Sequence, residues 1–307
     1  MKMKYLLLVL LISVASSTLF SQERMLMMSQ YLHNQYMLNS AFGGSREVLS
    51  LFGSYRQQFA GSPYSPSSQS FTAHAPLKNE HLALGLAIHN ENYKLYSGTK
   101  ATMSYTYRLI TEKGNKIAFS LNGGFMTYGW GVGDNIDLID PNDPTYQNWK
   151  GEIDHRFALG FGTAWYGKNF FLGFSVYDFF YRAPFLPENT FFSLGNSTYI
   201  FTGGYLFEIS ETLQLQPSAL LNLERIGTTA DISVSAILIN TLWAGITFRT
   251  NKEYVGIVGW QVTPQLKVTY SYDFPTGDLK KFSAGSHEIS LQFDFGYKIY
   301  TSSPKFF

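Results

Sequence analysis

Six histidines, His33, His74, His81, His89, His155 and His287, set what acid–base or metal chemistry the chain could perform. None stands at a ligand spacing such as H-x-x-x-H, and His81 and His89 are too far apart in sequence to form a local pair. The chain has no cysteine, which excludes thiolate metal sites, cysteine nucleophiles and disulfides together. It also lacks G-x-S-x-G, S-x-x-K and P-loop patterns. The most acidic stretch, GVGDNIDLIDPNDPTYQNW at 131–149, carries Asp134, Asp137, Asp140 and Asp143. It offers carboxylates to calcium but lacks the D-x-D-x-D-G loop, so a solvated surface loop is the plainer reading and no cofactor is expected. A second stretch, FFYRAPFLPENTFFSLGNS at 179–197, is unusually aromatic for an exposed loop. Aromatics are enriched at protein interfaces and at lipid headgroups, so a partner site and a membrane girdle weigh equally. The candidate partner-binding residues are Asp140, Asn142, Asp143, Tyr146 and Trp149 on the first stretch, and Tyr181, Arg182, Phe185, Phe191 and Phe192 on the second.

The elements between these stretches are strands. In 285–295, Glu288, Ser290, Gln292 and Asp294 take one parity and Ile289, Leu291, Phe293 and Phe295 the other, which gives one polar and one apolar face. Similar alternation marks 81–89, 99–108, 117–126, 228–239 and 265–273, with weaker segments at 49–56, 68–75, 156–166, 170–178, 198–207, 212–223, 242–249 and 254–261. Together they make about fourteen strands of barrel-spanning length. The polar parity carries Lys100, Arg108, Asp231, Lys267, Asp273, Glu288 and Asp294. Each would cost several kcal/mol in an apolar core unless paired, by rough principle, whereas a polar lumen takes them easily. The apolar face is therefore expected to meet lipid. His74 and His89 share the inward parity on neighbouring strands, which makes a contact in the lumen conceivable. It also argues against a lipid hydrolase with Ser and His on the outer wall, and no enzyme activity is expected.

Composition agrees with this arrangement. Aromatic residues are 17% and charged residues 15%, against roughly 25% charged in typical soluble domains. A net charge of +1 gives no field for nucleic acid. MKMKYLLLVLLISVASSTLFSQ, with Lys2 and Lys4 before an apolar run, has the order of a secretory signal, and cleavage is expected near Ser21–Gln22. Several odd-numbered gaps between strands are long (57–67, 90–98, 127–155, 179–197 and 274–286) and the even-numbered ones short, as in a barrel with surface loops and periplasmic turns. The expected organisation is a signal peptide at 1–21, an N-terminal periplasmic or plug segment at 22–47 and an all-β outer-membrane antiparallel barrel at 48–297. A periplasmic tail follows at 298–307, and both termini are periplasmic.

Three blocks resemble one family. QYLHNQYMLNSAFGGSRE (30–47) is similar to the N-terminal block of the PorP/SprF-type outer-membrane proteins of type IX secretion and gliding in Bacteroidetes. SYRQQFAGSPYSPSSQSFTAHAPLKNEHLALGLAI (54–88) resembles their first hairpin, and YSYDFPTGDLKKFSAGSHEISLQFDFGYKIYTSSPKFF (270–307) their ending. DPNDP at 140–144 is similar to a short middle block, while Ser40 and Phe42-Gly43-Gly44 depart from the family's usual N-P-A-Y-A-G. The resemblance implies a non-enzymatic barrel that assists export of, or anchors at the cell surface, a secreted protein such as an adhesin with a C-terminal sorting domain. Its partners would be type IX components, that cargo and outer-membrane lipid. Arg46, Tyr55, Arg56, His287 and Glu288 fall in the shared blocks and are expected to lock the N-terminal segment against the first and last strands. The alternative is a channel for a small or apolar solute, which needs an open lumen; a soluble β protein is the third class.

Overall fold

The computed structural model describes residues 28–62, 65–93, 96–130, 153–177, 179, 194, 197–224, 227–251, 253–276, 280–281 and 283–296. Fourteen antiparallel strands follow in chain order: β1 (Leu49–Gln57), β2 (Ser67–Pro76), β3 (Leu82–Asn92), β4 (Tyr96–Ile110), β5 (Lys116–Trp130), β6 (Ile153–Tyr166) and β7 (Phe170–Tyr177). Next come β8 (Thr198–Tyr205, resuming after Leu206 as Phe207–Glu208), β9 (Leu213–Glu224), β10 (Gly227–Leu238), β11 (Leu242–Arg249), β12 (Glu253–Gln261), β13 (Leu266–Pro275) and β14 (Ser286–Phe295). Phe207–Glu208 keeps the register of β8 on β9, with Gly204 opposite Ser218 and Phe207 opposite Leu215. The sheet closes on itself because β1 pairs with both β2 and β14, from Leu49 opposite Phe295 to Gln57 opposite His287. Closure leaves no unpaired edge, the condition for a sheet to cross a bilayer.

The alternation read from the sequence sets the two faces. On β14, Ile289, Leu291 and Phe295 are about half exposed, while Glu288, Ser290, Gln292 and Asp294 are buried. On β4 and β5 the outward residues include Met103, Leu121 and Phe125, the most open of them 72% exposed. The barrel is thus apolar outside and polar inside, the inverse of a soluble sandwich. Outward aromatics gather near the strand ends: Tyr107, Phe119, Trp165, Tyr205 and Trp260 at one end, Tyr55, Tyr254 and Phe274 at the other. Girdles of this kind mark the two interfaces of a membrane barrel.

All even-numbered connections are short turns, such as 77–81, 167–169 and 239–241. Among the odd ones, 58–66, 131–152, 178–197 and 276–285 are long. The expected loop at 90–98 is a correction: β3 and β4 run on, with Asn92 opposite Ser97, and only 93–95 connect them. Polar residues such as Asn90, Asn92 and Thr99 mask the alternation there, but backbone pairing continues, aided by a 2.7 Å bond from Asn90 Nδ2 to Thr99 Oγ1. The two ends of the barrel are called the turn end and the loop end below.

Candidate functional site

Inside the barrel lie residues 28–47, almost all of them buried. Short local motifs give this segment its shape. Asn34 caps the single helical turn α1 (Gln35–Leu38) by accepting from Met37 N, and Asn39 caps a 3₁₀ turn at Ser40–Phe42 by accepting from Ala41 N. An Asn side chain at such a cap satisfies a backbone donor that the lumen could not otherwise pair. Beyond these turns the segment is held by side chains of the wall.

The loop end carries a buried charge cluster. Arg249 reaches Asp231 at 3.0 Å, Glu253 at 3.2 Å and Asp273 at 3.3 Å. Arg56 reaches Asp273 at 2.6 Å and Glu288 at 3.3 Å. Every one of these side chains is at most 4% exposed. Ser29 sits among them: its hydroxyl donates to Asp273 at 2.7 Å and accepts from Arg56 Nη1 at 2.8 Å, and its N–H donates to Glu288 at 2.8 Å. Charges this deeply buried persist only when paired and hydrogen-bonded. The cluster ties the segment to β1, β11, β13 and β14 together.

From there the segment descends. Gln30 donates to Glu288 O at 2.8 Å, and Tyr31 Oη lies 2.9 Å from Ser218 Oγ and 3.0 Å from Ser233 Oγ. His33 lies 3.3 Å from Lys267 Nζ and edge-on to Trp243. It then crosses the lumen, where Tyr36 Oη meets Ser104 Oγ at 2.7 Å and Asn39 Nδ2 donates to Thr163 O at 2.9 Å. At the turn end Gly44 N donates to His74 Nδ1 at 3.1 Å, and Arg108 Nη1 donates to Gly44 O at 2.7 Å and to Glu47 at 2.9 Å. Lys116 also pairs with Glu47, and Arg46 pairs with Asp294 at 2.6 Å.

Between these polar ends is a small apolar core in which Tyr31, Leu32, Leu38, Ala41 and Phe42 meet Ala118, Ala164, Phe171, Ile237 and Trp243. The wall makes room at Gly85, where any Cβ would overlap the Tyr36 hydroxyl. A cavity of about 20 Å³ remains beside the segment, lined in part by Gln35, Tyr36, Arg46, His74 and Gln292, enough for about one water molecule.

The structure sorts the residues named from the sequence. Arg46, Arg56 and Glu288 lie inside and bond to the segment or its anchors. Tyr55 and His287 do not, which corrects their expected role: each adjoins an inward residue and so points outward. Tyr55 Oη bonds Gln57, and His287 packs at a tilt against Tyr270 and Tyr272 on the lipid face. His74 and His89 both face inward but do not meet, because His74 sits opposite Gly85 and His89 opposite Ser70. Asp140, Asn142, Asp143, Tyr146, Trp149, Tyr181, Arg182, Phe185, Phe191 and Phe192 lie outside the described residues. Among the described residues no group of three or more acidic or histidine side chains is placed to hold a metal.

Two features were missed. Ser29 and Arg249 form the centre of the loop-end cluster, and the hint in the sequence was the inward parity of Asp231, Asp273 and Glu288, the first of which proves to lie opposite Arg249. A buried chain also joins Ser70 Oγ to His89 Nδ1 and His89 Nε2 to Glu91, both at 2.8 Å. It has the residue types of a hydrolytic triad, but β2 is paired on both sides, so the wall's N–H groups are committed to the ladder and not available as oxyanion donors. What the interior is built to do is hold the segment.

The family described as "Type IX secretion system membrane protein PorP/SprF" matches residues 21–293. No curated protein matches the chain. Among solved structures, the Ralstonia pickettii toluene transporter TbuX is 9% identical, with 85% of this chain and 93% of that one covered at a TM-score of 0.48. A mutant Rh. blastica porin is 9% identical, with 80% and 99% covered at 0.34. With a match over nearly its whole length and a closed fourteen-strand barrel to carry it, the chain belongs to the PorP/SprF family of type IX secretion system membrane proteins.

Proposed function

We propose that this barrel works in the outer membrane as a non-enzymatic accessory of type IX secretion, assisting export of, or anchoring at the surface, one secreted protein such as an adhesin with a C-terminal sorting domain. The observation that supports this reading over a solute channel is the filled lumen: residues 28–47 are bonded to the wall at both ends of the barrel. A filled barrel presents surfaces rather than a path. The apolar wall takes outer-membrane lipid, and the long connections 131–152 and 178–197, which hold Asp140, Asp143, Tyr146, Tyr181 and Arg182, are the partner surface we favour. The export signal at 1–21 brings the chain to that membrane.

The test is gentle detergent extraction of the tagged protein from its native membrane, with mass spectrometry of what co-purifies. A large secreted protein or type IX components at near-stoichiometric yield support the proposal. Recovery alone in several detergents, together with large steady conductance of the intact chain in planar bilayers, overturns it in favour of a channel.

A further inference from the structure

The segment inside the barrel has a direction. Ser29 is bound by Arg56, Asp273 and Glu288, which lie within three residues of the loop ends of β1, β13 and β14. The carbonyl of Met28 accepts from Arg249, the last residue of β11 and also at the loop end. His33, four residues after Ser29, lies against Lys267, the second residue of β13 at the turn end. Asp273 and Lys267 are on one strand, so at ~3.3 Å rise and a tilt of about 40° the chain has moved roughly 15 Å down the axis. Glu47 then leaves beside Lys116, the first residue of β5, and β1 begins at the turn end.

We infer that the polypeptide threads the barrel from the loop end to the turn end, so that its amino-terminal end, held at Met28 and Ser29, opens at the same mouth as the long connections. This replaces the expectation that both termini lie on the turn side: β14 ends there, but the amino-terminal end enters from the opposite mouth. Two observations carry it. The amino-terminal end of the segment is fixed by charges that belong to the loop-end rim. The route back to the turn end is taken up by the segment itself, with Tyr31, Leu32 and Phe42 packed against Ile237, Trp243 and Phe171. The inference rests on geometry and is independent of the type IX reading.

The chain contains no cysteine, so single thiols report position without background. The variants are R24C, M27C, K280C in the connection between β13 and β14, and K113C in the turn between β4 and β5. Intact cells are treated with a membrane-impermeant maleimide, and total thiol is measured after denaturation. R24C or M27C is expected to react together with K280C, while K113C reacts only after the outer membrane is opened. M27C covers signal processing at a later residue than Ser21. Reaction of R24C and M27C together with K113C overturns the inference, as does reaction only after denaturation, which would leave that end inside the lumen.

Discussion

Replacing Arg249 with leucine puts the loop-end cluster to the test. The guanidinium makes three ion pairs at 3.0–3.3 Å and is 3% exposed. Its removal leaves Asp231, Glu253, Asp273 and Glu288 with Arg56 alone as counter-charge. Breaking a buried pair by removing one partner costs about 3–5 kcal/mol. At ~1.4 kcal/mol per tenfold change, that is a more than hundredfold shift in the unfolding equilibrium. R249K keeps the charge but loses the fork that meets both Asp231 oxygens, and should fall between wild type and R249L. R249L combined with D231L should recover part of the loss, because replacing both partners of a buried pair is far less costly than removing one. The assay is urea unfolding in detergent micelles followed by tryptophan fluorescence, with folded barrel scored by its faster migration on unheated gels. If R249L stays within about 0.5 kcal/mol of wild type, as ordinary surface substitutions do, the cluster is solvated and does not hold the segment.

Three further outcomes follow from the same geometry. G85V should destabilise the barrel by about 1–3 kcal/mol through overlap with Tyr36, whereas Y36F, which removes only the bond to Ser104, should cost about 1 kcal/mol; both are read by urea titration. Leu121 is 68% exposed at mid-strand on the outer face, and L121R should cost about 2–4 kcal/mol of barrel stability in lipid, measured by the folded fraction after refolding into vesicles.

Much of the wall was legible because strand parity has period two. The inward set Arg108, Asp231, Lys267, Asp273, Glu288 and Asp294 could be read from alternation alone, and all are buried. Parity also separated Arg56 from Tyr55 and Glu288 from His287, although membership of a shared block had grouped them. The lumen contents were harder. Ser29, Asn34 and Asn39 act through caps and long-range bonds with no local period, and Ser29 meets a partner 259 positions away. Inward apolar residues such as Ile237 and Trp243 break the polar parity because they pack on the segment. Nothing near them in sequence announces what they touch. The strand ends failed for another reason: at Asn90 and Thr99 backbone pairing outlasts the alternation that was used to find it.

The bond between Ser29 and Glu288 has a consequence for the order of assembly. Joining points 259 positions apart costs about 5 kcal/mol of chain entropy before any contact offsets it. The segment touches β4 to β7 on one side and β9, β10, β11, β13 and β14 on the other, while the seam between β1 and β14 zips only when the final strand arrives. Laying the segment into an open, curling sheet avoids drawing it through a closed cylinder, and on that route the first residues delivered to the membrane wait longest for their partners. Seam and contents then set as one cooperative event with high contact order and slow kinetics.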